Sequence, residues 1–121
     1  MNRQLSTLAG YPGIACIVLS ALVWSGTRTL PTAGSRVPKA VVISISAFQF
    51  LPEELSVAPG DTVTWSNDDL FVHVITADSG AWTSPELRRG QRFVLVPADT
   101  GRFPYHCSAH PVMRGVLVVR R

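Results

Sequence analysis

From Ala40 onward, apolar and polar positions alternate in short bursts separated by turn residues. Val41, Val42, Ile43 and Ile45 begin a strand, and Phe48 and Phe50 continue the alternation up to Pro52. A two-residue period is what a strand with one buried face requires. Leu55 and Val57 alternate again before the turn signal Pro59-Gly60-Asp61. Thr62 to Trp65 is β-branched and aromatic, and reads as the returning strand. Asn67-Asp68-Asp69 marks another turn, followed by a strand from Phe71 to Thr76 and a break at Asp78-Ser79-Gly80. Further strands are predicted at Phe93 to Val96, Phe103 to Cys107 and Val116 to Val119, with Pro85 to Arg88 long enough for one helical turn at most. Short strands at this spacing predict an all-β domain, a Greek-key β-sandwich.

The N-terminal third follows a different pattern. Residues 8–24 are almost wholly apolar, with Arg3 before them. Such a run is long for a signal-peptide core and short for a membrane span. Pro12 and Gly13 weaken helix near its start, which leaves Ile14 to Trp24 as the strongest helical segment. An N-terminal hydrophobic helix is therefore expected in residues 1–24, as a cleaved signal peptide or as a membrane anchor, and both readings stay open. Residues 25–39 are rich in Ser, Thr, Gly and Pro without an apolar period, which makes them a linker. The folded domain is expected at residues 40–121.

Composition sharpens this picture in two places. Hydrophobic content of 46% with 16% charge excludes a disordered chain. The net charge of +3 suggests nucleic acid until its distribution is read. Arg3, Arg28, Arg36 and Lys39 all precede the domain, whereas residues 40–121 carry 7 basic and 8 acidic side chains. No basic patch with interleaved aromatics results, so nucleic acid is not an expected partner.

Candidate chemistry is concentrated between Tyr105 and Gly115, where Cys107, His110 and Met113 stand at i, i+3 and i+6. Thiolate and thioether are soft ligands and imidazole suits copper; two His, one Cys and a weak axial Met form the ligand set of a blue-copper centre. A loop between two strands can fold three such side chains onto one point, with Pro111 stiffening it and Gly115 permitting a sharp turn into the last strand. The chain has three histidines. His106 adjoins Cys107 on a strand and should point to the opposite face. His73 remains as the second imidazole. Each residue also has a plainer reading: a lone Cys or Met is often simple core packing, and Trp65 and Trp82 are most simply core aromatics. Cys16 lies inside the apolar leader, so no disulfide framework is expected within the domain.

These residues make the chain similar to a small type 1 (blue) copper protein, a cupredoxin of the plastocyanin/amicyanin type, over residues 41 to 119. The stretch Cys107-Ser108-Ala109-His110-Pro111-Val112-Met113-Arg114-Gly115 matches that family's short Cys-x-x-His-Pro-x-Met-(Lys/Arg)-Gly loop in every fixed position. Phe48-x-Phe50-x-Pro52, Leu55-x-Val57 and Gly60-Asp61-Thr62-Val63-x-Trp65 with Asn67 follow the family's first half, and Gly101-x-Phe103-x-Tyr105 its approach to the loop. The resemblance implies a cupredoxin-like fold and one copper ion held by His73, Cys107, His110 and Met113. Two departures flank His73: the family usually has Pro before it and Asn or Thr after it, where this chain has Val72 and Val74. Val74 lacks the side-chain hydrogen bond that normally helps hold the ligand loop.

The expected function is single-electron transport between redox partners, not enzyme catalysis. A redox protein would dock near His110, Pro111 and Val112, on an apolar collar that includes Ala109, Leu70 and Phe71. The protein is expected to be a monomer and extracytoplasmic, in the periplasm or its equivalent, because a soft-ligand copper site is usually placed there. The positive residues after the leader pull the other way, since they favour a cytoplasmic domain. Membrane association through residues 8–24 is the accompanying option. Two alternatives remain at this stage: copper delivery without redox cycling, and a tethered accessory domain of a membrane redox complex. Extra Met or His clusters would favour delivery, but Met1 and Met113 are the only methionines.

Overall fold

A computed structural model describes residues 34–121, and the expected N-terminal helix lies outside them. Every regular element among the described residues is a strand: β1 (Ala40–Ser46), β2 (Gln49–Leu51), β3 (Glu54–Val57), β4 (Thr62–Asn67), β5 (Ile75–Ala77), β6 (Arg92–Leu95), β7 (Gly101–Cys107) and β8 (Arg114–Val119). They form two four-stranded sheets, ordered β2-β1-β4-β6 and β3-β8-β7-β5. The pairings β1 with β4 and β3 with β8 are parallel, so the chain must cross between sheets rather than run as successive hairpins. The expected all-β sandwich of two sheets is what the structure shows.

Alternation decides which side chains meet between the sheets. Ile43 and Ile45 of β1, Val63 and Trp65 of β4, Tyr105 and Cys107 of β7, and Leu117 and Val119 of β8 are all buried. Each of the aliphatic side chains contributes roughly 1.5–3 kcal/mol when fully withdrawn from water. Trp65 anchors an aromatic group in which its ring lies 5.5 Å from both Trp82 and Tyr105 and 5.7 Å from Phe93.

Three local readings change. The alternation from Val41 to Phe50 is not one strand but a hairpin, with Ala47 and Phe48 at φ of 49° and 57° between β1 and β2. An Ala-Phe pair carries no turn signature, so periodicity ran straight through it. Phe71 and Val72 are outside regular strand, and His73 makes a single antiparallel bridge with Leu87 before β5 begins. Gly115 has no left-handed backbone; it is needed because a Cβ there would overlap the Tyr105 ring.

The end of the linker is tied firmly to the domain. Asp61, beside the Gly60 turn, accepts a bidentate pair from Arg36 at 2.7 and 2.8 Å and backbone N–H groups from Lys39 and Ala58. The Arg36 guanidinium, helped by those two amides, holds the Asp61 carboxyl well below the usual carboxylate range.

Candidate metal centre

Strand β7 ends at Cys107, whose side chain continues the inward alternation of Tyr105 and is completely buried. Beyond it the backbone closes two successive turns: His110 N–H donates to the Cys107 carbonyl at 3.2 Å, and Met113 N–H donates to the His110 carbonyl at 2.9 Å. A three-residue step closed by such a bond is a β-turn. The i, i+3, i+6 spacing thus becomes a folded loop, sealed where Cys107 N–H donates to the Met113 carbonyl at 3.1 Å. Met113 is 2% exposed and lies in the core cluster.

His73 reaches the same point from the segment that leads into β5. Its bridge to Leu87 uses both backbone groups, at 3.1 and 2.8 Å. Two residues on, Ile75 pairs directly with Cys107, so His73 shares a face with the strand that carries the thiol. Nδ1 of His73 lies 3.6 Å from Cys107 Sγ, and Nδ1 of His110 lies 3.8 Å from it. One ligating atom from each of the three residues falls within 4.8 Å of the others. Two donors about 2.0 and 2.3 Å from one ion, 120° apart, would themselves be about 3.7 Å apart. The set therefore fits a single small metal ion, and its thiolate and imidazoles suit copper.

The surroundings of His73 answer the question raised by Val74. Its backbone carbonyl accepts the Ser108 N–H at 2.9 Å, and the Ser108 hydroxyl lies 2.7 Å from Thr76 Oγ1. Backbone and hydroxyl contacts thus tie the ligand loop to β5 where a side-chain amide or hydroxyl at position 74 could have done so. His106 points away from the centre, with its Nδ1 2.6 Å from the Asp78 carboxylate.

Two residues that the sequence did not place at the site lie against the imidazoles. The Phe48 ring sits edge-on to His73 at 5.8 Å and to His110 at 5.0 Å, and 4.9 Å from Phe71. The Asp69 carboxylate is 3.0 Å from His73 Nε2. Burial raises the Asp69 carboxyl, but the Phe48 and Ala47 amides and the His73 ring outweigh it and leave it below its ordinary value. Asp69 was legible only as part of a turn signal. His110 is partly exposed, and Leu70 (77%), Phe71 (54%) and Val112 (90%) are open to solvent.

Residues 14–119 match the Cupredoxin-like domain family. The chain is 35% identical to the amicyanin of Paracoccus denitrificans over 85 residues, 66% of this chain and 65% of that protein. It is 29% identical to the amicyanin of Paracoccus versutus over 123 residues, spanning 89% and 93% of the two chains. Among solved structures, the Cu(I) form of an amicyanin mutant superposes with a TM-score of 0.65 at 32% identity, covering 71% of this chain and 87% of that one. Fold, donor chemistry and sequence agree: the chain belongs to the cupredoxin-like family and is a small blue copper protein of the amicyanin type, binding one copper ion.

Proposed function

We propose that the protein carries single electrons between redox partners, with His73, Cys107, His110 and Met113 as its copper ligands. The observation that carries this reading is the convergence of the His73 and His110 Nδ1 atoms on Cys107 Sγ, at 3.6 and 3.8 Å. Copper held by these residues supplies a one-electron Cu(I)/Cu(II) couple. Cys107 and His73 are fully buried on elements fixed by cross-strand bonds, so their donor atoms stay in place whichever charge they face. Four protein donors leave no open position for a substrate, which supports a carrier and not an enzyme.

Of the two proposed ligand imidazoles, His110 is the one that reaches solvent. The Phe48 ring lies against it and Phe71 against Phe48, and these two with Leu70 and Val112 are exposed apolar side chains of the kind that marks interaction surfaces. A redox protein docks there, near His110, Pro111 and Val112, and the carrier works as a monomer outside the cytoplasm. Residues 1–24 deliver it as a signal peptide or hold it as an anchor, residues 25–39 link, and residues 40–121 form the cupredoxin domain.

The test is a visible spectrum of the Cu(II)-loaded protein followed by redox titration. An intense thiolate-to-copper band with reversible reduction is expected. Copper bound without that band, or lost on reduction, would overturn the carrier reading in favour of copper delivery. N-terminal sequencing of the mature protein from soluble and membrane fractions distinguishes cleavage from anchoring.

A further inference from the structure

The Asp69 carboxylate joins two parts of the molecule that the sequence keeps apart. Its Oδ1 accepts the Ala47 N–H at 2.8 Å, and its Oδ2 accepts the Phe48 N–H at 3.1 Å. The same Oδ2 lies 3.0 Å from Nε2 of His73. Ala47 and Phe48 are both left-handed, at φ of 49° and 57°. That conformation brings Cβ too close to the following carbonyl oxygen, and hairpins usually place Asn-Gly or Asp-Gly in it. Here two ordinary residues hold it, with both of their amides bound to one carboxylate. Asp69 itself is fixed, since its N–H donates to Oδ1 of Asn67, and Asn67 is fully buried with Nδ2 donating to the Phe71 and Leu87 carbonyls.

An ionised carboxylate only accepts, so Nε2 of His73 must carry the proton it shares with Asp69. A neutral imidazole then presents Nδ1 as a bare lone pair, and Nδ1 is the atom facing Cys107. We infer that Asp69 is a positioning residue of the copper centre. It fixes the His73 tautomer, and it pins the strained turn that sets the Phe48 ring against both imidazoles. Outer partners of this kind orient metal-binding histidines and raise their basicity. The inference rests on His73 being a ligand, and it adds the residue that prepares it.

Asp69→Ala and Asp69→Asn test this. The first readout is the His73 tautomer in the metal-free protein, by proton–nitrogen correlation at a pH above the histidine range. Wild type should show an Nε2-protonated, slowly exchanging ring. Asp69→Ala should lose that slow exchange, bind Cu(II) about 10- to 100-fold more weakly, and show a shifted thiolate band. Asp69→Asn can still accept the His73 proton through Oδ1 but offers no second acceptor to the turn, so it should fall between the two. If Asp69→Ala fails to fold, the Asn variant carries the comparison. An unchanged tautomer, affinity and band in the variant that folds would overturn the inference. Wild type lacking the thiolate band would instead sink the ligand assignment, and the inference with it.

Discussion

Cys107 Sγ and His73 Nδ1 lie 3.6 Å apart although 34 residues separate them in the chain. The distance is set by backbone, since Ile75 of β5 pairs with Cys107 of β7 and the bridge to Leu87 holds His73 just before it. A donor pair imposed by cross-strand hydrogen bonds does not depend on the metal to form. Replacing the soft donor should therefore change the chemistry more than the fold. Cys107→Ser is expected to keep its cooperative unfolding transition while losing the intense visible band of the Cu(II) protein. Absorption of the copper-loaded variant, with circular dichroism as the control for folding, is the measurement.

As the proposed fourth donor, Met113 would tune the potential. Its side chain is buried, and its backbone closes the loop through both its N–H and its carbonyl. Leucine preserves volume and leaves those backbone bonds intact, costing under about 1.5 kcal/mol. Met113→Leu should retain copper and raise the reduction potential, because a thioether serving as the proposed fourth donor would stabilise Cu(II) relative to Cu(I). Cyclic voltammetry decides it, and an unchanged potential removes Met113 from the axial role.

Tyr105 predicts an alkaline transition. Burial, with the Glu53 carboxylate adding to it, pushes the phenol up to about 12 from 10.0. The neighbouring Trp65 indole opposes the rise without completing a hydrogen bond, and neither Trp65 Nε1 nor Tyr105 OH has a partner. Between these two values the unfolded chain has lost the proton that the folded one keeps, so stability falls as pH rises, by about 2–3 kcal/mol in all. Tyr105→Phe should abolish that component in urea unfolding measured from pH 9 upward, a starting point about one unit below the free phenol. At neutral pH the variant should match wild type or gain up to about 1 kcal/mol, since it removes an unpartnered buried hydroxyl. Gly115→Ala acts on the same contact in the opposite sense. Its Cβ would overlap the Tyr105 ring, and overpacking of this kind costs about 1–3 kcal/mol.

Arg36 and Asp61 make the third stability element. The Asp61 carboxyl is held below its ordinary value, so its contribution is complete above the ordinary carboxylate range and is lost as pH falls through the folded-state value. Asp61→Asn should lower the melting temperature at neutral pH, with the gap to wild type narrowing as pH falls below about 4. A gap that stays constant down to the acid transition would show that charge is not what Asp61 contributes.

Much of the centre could be read along the chain because it is local there. Cys107, His110 and Met113 sit in one loop, and two turns closed by backbone bonds convert their spacing into proximity without help from the rest of the fold. The sandwich was legible for a related reason: a two-residue period allows only one face of each strand to be buried. His73 needed elimination and family likeness, since nothing near it in sequence marks it as close to Cys107. What the tertiary structure alone decided are the contacts made by residues with no local signature. Asp69 looked like a turn residue, Ala47 and Phe48 looked like strand, and Gly115 looked like a conformational hinge. Their roles come from a carboxylate, two amides, an imidazole and a Tyr105 ring brought together by strand pairing, and periodicity carries no information about which side chains pairing will bring into contact.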